Sequence, residues 1–79
     1  MNNKKKVFNI IADVFEIKTN LINMESSSNN IANWDSIGMI NLILAIEQEF
    51  NIKFSSSEIS ELISVKFIIE TLKKKGILF

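Results

Sequence analysis

Apolar side chains in the first part of the chain recur every three or four positions, the spacing that places them on one side of an α-helix. The pattern predicts a first helix over roughly residues 3–16. Its inner stripe would consist of Val7, Ile10, Ile11 and Val14, widened by Phe8 and Phe15. The helical spacing is lost after this segment, which indicates where the helix ends.

A long polar loop is predicted between the first and second helices. Residues 26–33 read Ser-Ser-Ser-Asn-Asn-Ile-Ala-Asn, a composition typical of a loop. Long loops in small domains are often functional or mobile. We expect Leu21, Ile22 and Ile31 to fix this loop to the core.

The second predicted helix covers residues 36–50. Asp35 stands where an N-cap belongs, because its carboxylate can accept hydrogen bonds from exposed backbone amides of the first turn. One apolar stripe at helical spacing would face the core. It consists of Met39, Leu42, Ile43, Ile46 and Phe50.

Two further helices are predicted, each with a serine at its start. Ser55 and Glu58 have the spacing of a capping box, which begins a short third helix. Ser64 would cap the fourth helix. Lysines 73–75 suit the end of that helix, since cations complement its dipole, and Gly76 can cap it. The inward residues are Ile59 and Leu62 in the third helix and Val65, Ile68, Ile69 and Leu72 in the fourth.

These elements predict an all-α fold, a small four-helix bundle with a short third helix and a long loop between helices one and two. The fifteen isoleucines would also suit β-strands. We reject strands because the apolar spacing is helical in three segments and no hairpin turn pair such as Asn-Gly is present. The 79 residues suffice for a single domain, which we place at 1–79.

The second helix carries an apolar face that its core role does not explain. Ile37, Ile40 and Leu44 follow helical spacing but are offset from the inner stripe. One interpretation is that a partner protein binds this face. The other is that a small bundle wraps its neighbours around the central helix and buries Ile40 and Leu44. The sequence leaves both open.

Composition and charge exclude several classes of function. The chain has no cysteine and no histidine, and its carboxylates lack calcium-loop spacing, so we expect no metal site. Nine lysines balance nine acids, which argues against binding to nucleic acid. No apolar run approaches the roughly 20 residues of a membrane span, so we expect no membrane partner and a cytoplasmic protein. Lysines 4–6 and 73–75 are interpreted as solvated helix ends.

The tetrad Trp34-Asp35-Ser36-Ile37 joins the polar loop to the second helix. Ser36 would be exposed at a helix start, where free amides and the helix dipole favour an attached anionic group. Serine at such a position is, in isolation, usually only a cap. A hydrolase using Ser36 is not supported, because the chain has no histidine to activate it. Trp34 is interpreted as a ring that packs the loop against the bundle rather than as a ligand platform.

The chain resembles acyl carrier proteins and peptidyl carrier domains, most clearly over residues 33–65. The resemblance rests on the Asp35-Ser36-Ile37 motif and on the amphipathic helix after it, which ends in Glu47-Gln48-Glu49-Phe50. The segment Ile52-Lys53-Phe54 and the caps at Ser55 and Ser64 are similar to the family's third-helix and fourth-helix starts. The first helix matches in pattern and spacing only.

The resemblance implies a non-catalytic carrier that holds acyl or aminoacyl intermediates as thioesters on a 4′-phosphopantetheine arm. Ser36 would be modified by a phosphopantetheinyl transferase, and Asp35 would cap the helix and help that transferase to dock. The reactive thiol would belong to the cofactor, which fits the absence of cysteine.

The resemblance also implies a partner-binding set on the second helix. Ile37 replaces the family's usual leucine and would keep its apolar contact with partner enzymes. This fits the first interpretation of the offset apolar face, in which Ile40 and Leu44 also contact a partner. Glu47 and Glu49 match acidic positions that would meet basic patches on partners. These partners would be enzymes that load and transfer acyl or aminoacyl groups, and we expect the carrier to be a monomer.

Three departures from the family pattern favour a carrier of a specialised biosynthetic pathway. Asn41 and Gln48 stand where many members carry acids, and the chain is neutral whereas general fatty-acid carriers are strongly acidic. Trp34 before the Asp-Ser pair is more typical of peptidyl, D-alanyl and specialised carriers. The alternatives are a housekeeping carrier of fatty-acid synthesis and a helical interaction module without a cofactor.

Overall fold

A computed structural model describes residues 2–79 and contains four α-helices. They are α1 (Asn3–Phe15), α2 (Ser36–Phe50), α3 (Ser56–Ile59) and α4 (Val65–Lys74), with a 3₁₀ turn at Thr19–Leu21. The predicted all-α bundle with a short third helix and a long connection between helices one and two is confirmed. Within residues 2–79, none of these helices combines the length and the apolar character needed to cross a bilayer.

The helix ends follow the predicted capping residues. Ser55 Oγ accepts from the Glu58 amide at 3.3 Å and Glu58 Oε1 accepts from the Ser55 amide at 2.8 Å, which completes the capping box. Ser64 Oγ caps α4 by accepting from the amide of Phe67. Gly76 follows α4 with a φ of 92°, a left-handed conformation that glycine adopts without strain. α1 ends one residue earlier than predicted, because Glu16 takes a left-handed conformation with φ 57°.

The core lies where α1, α2 and α4 face one another. The inner stripe of helix four and the centre of that of helix two were predicted correctly, with Leu42, Ile46, Ile68 and Leu72 all at 0% exposure. The two ends of the predicted α2 stripe, Met39 and Phe50, are half-buried. The centre of the α1 stripe is shifted from the predicted one, because α1 packs against both α2 and α4 and turns the side that bears Ala12 and Phe15 towards the core. Its buried residues are Val7, Ile11, Ala12 and Phe15, whereas Ile10 and Val14 are half-buried.

The connection between α1 and α2 is fixed to the core by two of its three predicted anchors. Ile22 and Ile31 are buried, as expected. Leu21 is 65% exposed, so its assignment as an anchor was wrong. It ends the 3₁₀ turn, where successive side chains are rotated by about 120°, so that Leu21 and Ile22 do not face the core together. Further along, Ser27 and Ser64 form an antiparallel bridge that joins the loop to the start of α4.

α1 runs antiparallel to α2, and polar contacts mark both ends of the pair. At one end Lys6 Nζ lies 3.4 Å from Glu49 Oε2. At the other end Asn33 Nδ2 donates to the carbonyl of Phe15 at 3.2 Å. Asn3 Nδ2 also donates to the Leu78 carbonyl at 2.7 Å, so the chain after α4 meets the start of α1. The bundle therefore has two distinct ends, with residue 36 and the loop at the end opposite the start of α1.

The single turn of α3 is held by an ion pair to the end of α4. Lys75 Nζ lies 2.9 Å from Glu58 Oε1 and 5.7 Å from the centre of the Phe54 ring. The hydrogen bond from the Ser55 amide, followed by that from Lys75, holds the pKa of Glu58 below its usual 4.5. A carboxylate with a lowered pKa stabilises the fold while it is charged, and this contribution is lost as the pH falls through the folded-state pKa.

We expect Glu58→Gln to lower the melting temperature at pH 7, because a neutral amide pairs less well with Lys75 and with the Ser55 amide. The difference from wild type should shrink as the pH falls below about 4.5, where Glu58 begins to protonate in the unfolded chain. Thermal melts from pH 7 to pH 3 measure this. Glu61→Gln is the matched control, since Glu61 is exposed and its side chain makes no contact of this kind within residues 2–79. A pH-independent difference, or an equal effect at Glu61, would contradict the assignment.

Candidate functional site at the head of α2

Ser36 is the first residue of α2 and is exposed to solvent. Asp35 precedes it as the N-cap in an extended conformation, as predicted, and its Oδ1 accepts from the Gly38 amide at 3.0 Å. The Asp35 carbonyl accepts from the Met39 amide at 2.8 Å. The cap therefore uses the amides of the third and fourth residues of the helix.

The first two amides of α2 remain available to a ligand. Within residues 2–79, the amides of Ser36 and Ile37 have no hydrogen-bond acceptor. Amides at a helix start carry the positive end of the helix dipole. Together with the exposed Ser36 hydroxyl, they form a position that suits a negatively charged group.

Close packing against Phe15 fixes the position of this helix start. A Cβ placed on Gly38 would overlap the Asn33 carbonyl oxygen and lie 2.8 Å from Cε1 of Phe15. Only a glycine therefore allows α2 to approach the end of α1 this closely. The Asn33 side chain donates to the Phe15 carbonyl. This hydrogen bond fixes the position of Asn33, whose own carbonyl oxygen lies next to Gly38.

The Trp34 ring closes the loop against the bundle. It is 4% exposed and stacks on Phe15, with ring centroids 5.1 Å apart and planes 25° apart. Its indole N–H has no acceptor in the described part of the chain, so packing rather than hydrogen bonding holds the ring. The prediction of a packed ring instead of a ligand platform is confirmed.

Phe15, Gly38 and Asn33 support the site and were missed in the sequence. A signal was present at Gly38, because a glycine inside a helix costs about 1 kcal/mol relative to alanine and often marks close packing. Phe15 was placed at the margin of its stripe, whereas its ring lies against both Trp34 and Gly38. Nothing in the sequence indicates that the Asn33 amide reaches the end of α1.

A shallow groove of about 270 Å³ lies beside Ser36, between the end of α1 and the first turns of α2. Two acidic residues, Glu16 and Asp35, lie along it, so the groove itself is not an anion-binding pocket. Its remaining lining residues are Val14, Asn33, Ile37, Gly38 and Asn41. An anionic group near Ser36 would have to rely on the helix amides.

The outer apolar face of α2 is open to solvent. Ile37, Ile40 and Leu44 are 74%, 57% and 52% exposed, respectively. The interpretation in which the bundle buries Ile40 and Leu44 is therefore wrong for this chain. The three side chains form an apolar strip along α2 that starts next to Ser36, and we call it the outer face.

The two glutamates at the end of α2 already have partners within the chain. Glu47 is half-buried, and its Oε2 accepts from the Phe54 amide at 2.9 Å. Glu49 pairs with Lys6 on the side that faces α1. Two other exposed residues of α2, Asn41 and Gln48, carry no charge. The acids that flank the outer face along α2 are therefore Asp35 before it and Glu47 after it.

Comparison with known proteins gives a consistent assignment. A family model described as a phosphopantetheine attachment site matches residues 5–72. An acyl carrier protein of Buchnera aphidicola subsp. Baizongia pistaciae is 37% identical over 73 residues, covering 92% of this chain and 94% of the relative. An acyl carrier protein of Clostridium acetobutylicum is 36% identical over 69 residues, covering 87% and 90%.

A solved structure supports the same assignment. The solution structure of a holo acyl carrier protein from Geobacter metallireducens superposes with a TM-score of 0.81 at 31% identity, covering 95% of this chain and 86% of that one. The chain belongs to the acyl carrier protein family. Proteins of this family are carriers with a phosphopantetheine prosthetic group, and they work with a phosphopantetheinyl transferase and acyl-handling enzymes.

The head of α2 fits such a prosthetic group. The group is anionic at its phosphate, and the two unpaired amides beside an exposed hydroxyl offer what a phosphate requires at a helix start. The side chains around the position are exposed or line an open groove, so a long flexible arm would not be obstructed.

The close packing at Gly38 gives a stability prediction. We expect Gly38→Ala to lower the free energy of unfolding by about 1–3 kcal/mol, since overpacking against a backbone carbonyl outweighs the gain of about 1 kcal/mol in helix propensity. Urea denaturation measures the change. Gln48→Ala, at an exposed position of the same helix, should stay within about 0.5 kcal/mol of wild type. A Gly38→Ala protein as stable as wild type would show that Asn33 and Phe15 do not restrict this position.

Proposed function

We propose that this protein is a cytoplasmic carrier of acyl or aminoacyl groups and that the Ser36 hydroxyl is the attachment point of its phosphopantetheine. The observation that carries the proposal is an exposed hydroxyl on the first residue of α2, next to two amides without acceptors in residues 2–79. The chain has neither histidine nor cysteine, so modification by another protein accounts for this serine better than catalysis by it.

The residues around Ser36 would hold and present the attached group. Phosphopantetheine supplies a flexible arm whose terminal thiol carries the acyl group as a thioester. The amides of Ser36 and Ile37 would donate to its phosphate, and the dipole of α2 would favour that negative charge. The Asp35 carboxylate accepts a hydrogen bond from the Gly38 amide and so orders the helix start. Because Asp35 is also exposed, it would offer an acidic group to the transferase.

Intact mass after incubation with coenzyme A and a broad-specificity phosphopantetheinyl transferase tests the attachment point. We expect the wild type to gain the mass of one phosphopantetheine and Ser36→Ala to gain none. Ser56→Ala is the matched control, because Ser56 is also an exposed serine on the first residue of a helix. This variant should be loaded like the wild type.

The same measurement can reject the proposal. An unchanged wild-type mass, with an enzyme that loads another carrier in parallel, would exclude a modified serine in this chain. A mass gain retained by Ser36→Ala and lost in Ser56→Ala would move the attachment point to α3. Circular dichroism of each variant shows whether the helices are intact, so that a folding defect is not read as lost modification.

We further propose that partner enzymes bind the outer face formed by Ile37, Ile40 and Leu44. An enzyme that acts on a group attached at Ser36 must approach this end of the bundle, and the outer face begins at the adjacent residue. More than half of each side chain is exposed, so a partner could bury substantial apolar area there.

This surface would be recognised mainly through apolar contact. Within residues 2–79, Glu49 pairs with Lys6, whereas Glu47 accepts from the Phe54 amide, a neutral donor that leaves the negative charge of Glu47 in place. Glu47 would act at the margin, where it lines a groove beside Leu44. Asn41 and Gln48 add hydrogen-bonding capacity without charge. Binding of this kind depends little on ionic strength, in contrast to binding between opposite charges.

The charge-poor surface also supports assignment to a specialised pathway rather than to general fatty-acid synthesis. The chain is neutral overall, and uncharged side chains occupy two exposed positions of α2. Such a surface would be complementary to partner enzymes of one pathway whose binding sites are apolar. A partner that relies on basic patches would find few free acids on it.

The binding face can be tested with the transferase as probe. We expect Ile40→Ala to reduce kcat/KM for loading by about tenfold, which corresponds to about 1.4 kcal/mol of lost apolar contact. Ile63→Ala is the matched control, since Ile63 is 47% exposed but lies between α3 and α4. We also expect the wild-type kcat/KM to change by less than about threefold between low and physiological salt. An equal loss at Ile63, or a steep salt dependence, would contradict recognition through this face.

A further inference from the structure

The fold brings two separate lysine runs to one end of the bundle. Lysines 4–6 lie in the first turns of α1, and lysines 73–75 lie in the last turn and cap of α4. The hydrogen bond from Asn3 to the Leu78 carbonyl joins these two regions. Six of the chain's nine lysines therefore share one end, which we call the lysine end, about 20 Å along α2 from Ser36.

Most of the charge at the lysine end is not neutralised. Within residues 2–79, Lys6 pairs with Glu49 and Lys75 with Glu58. The other four lysines make no salt bridge there, and the remaining acids at this end are Glu47 in the last turn of α2 and Glu70 on α4. These four are Lys4, Lys5, Lys73 and Lys74. The neutral total charge of the chain thus conceals a separation of charge along the bundle.

Helix stability explains only half of this arrangement. Lys73 and Lys74 lie at the end of α4, where cations complement the helix dipole. Lysines 4–6 lie at the start of α1, which is the positive end of its dipole, and the first turn contains no acid. Lysines there oppose the local electrostatics. Lys6 gains the contact with Glu49, and Lys4 Nζ lies 5.8 Å from the centre of the Phe8 ring. Lys5 has no such contact within residues 2–79, and a residue that breaks a local rule without a structural gain points to a function.

Exposed apolar side chains accompany the lysines. Leu78 is 84% exposed and Phe79 is 42% exposed, and both line a groove together with Asn2 and Asn3. Lysines around an exposed leucine and phenylalanine form the combination that binds the interface of an anionic membrane, where the cations meet lipid headgroups and the apolar side chains enter the acyl boundary. An acidic protein surface would match the lysines but would leave Leu78 without a partner.

We propose that the lysine end docks on an anionic lipid surface and that Ser36 then faces away from it. Such docking leaves the outer face of α2 and the head of α2 accessible to enzymes, because both are remote from the lysine end. It differs from the expectation drawn from the neutral sequence, which treats the two lysine runs as unrelated solvated helix ends. Attachment through a few lysines is reversible and sensitive to salt.

Vesicle co-sedimentation tests this surface with the full chain. We expect binding to vesicles rich in phosphatidylglycerol at low salt, no binding to pure phosphatidylcholine, and loss of binding as salt is raised. Lys5→Gln/Lys73→Gln should weaken binding about 10- to 30-fold, since each lysine near such a surface contributes roughly fivefold. Lys18→Gln/Lys66→Gln removes the same charge from the ends of α1 and α4 nearer Ser36 and should bind like the wild type.

Three outcomes would overturn the proposal. The first is a wild type that does not bind anionic vesicles at low salt. The second is an equal loss in the two double variants, which would show that only total charge matters. The third is binding to poly-L-glutamate without binding to vesicles, which would assign the lysine end to an acidic protein instead. Thermal melts of each variant separate lost binding from lost folding. Ser36→Ala should bind vesicles like the wild type, so the proposal for the lysine end can fail or hold independently of the proposal for Ser36.

Discussion

The close contact between the end of α1 and the start of α2 determines where the Ser36 hydroxyl is placed. Phe15 takes part in it twice, through its stacked contact with Trp34 and through the space that Gly38 leaves for its ring. Asn33 adds a hydrogen bond to the Phe15 carbonyl. Because the loop and the helix start pack against the same aromatic side chain, the residue that follows the cap is exposed at a helix start that is fixed against the core.

Three parts of α2 have three different roles. Its inner stripe fills the core, its outer apolar residues remain free, and its first turn leaves two amides without acceptors in the described chain. Its glutamates also make contacts within the bundle, Glu47 with the Phe54 amide and Glu49 with Lys6, so the charge of Glu49 is paired while that of Glu47 is not neutralised by its donor. This division explains how a chain with so little net charge can retain the architecture of a family whose members act through partner enzymes.

Much of the fold could be predicted from the sequence because local signals agreed with the tertiary structure. The caps at Asp35, Ser55 and Ser64 and the inner stripe of α4 depend on neighbours within one or two turns. The contacts around Phe15 could not be predicted, since they join residues far apart in the chain. The proposed attachment point at Ser36 follows from local spacing and resemblance. The meeting of the two lysine runs, in contrast, depends on how α1 and α4 are placed in the fold.

The one-turn length of α3 has a consequence for how the bundle fluctuates. A helix of four residues has no independent stability, so α3 persists through its capping box, the burial of Leu62 and the contact of Glu58 with Lys75. None of these contacts involves the first turn of α2. Local opening can therefore begin at α3 and expose part of the interior while the first turn of α2, which carries Ser36, stays ordered. One side of this small bundle can then open without displacing the serine.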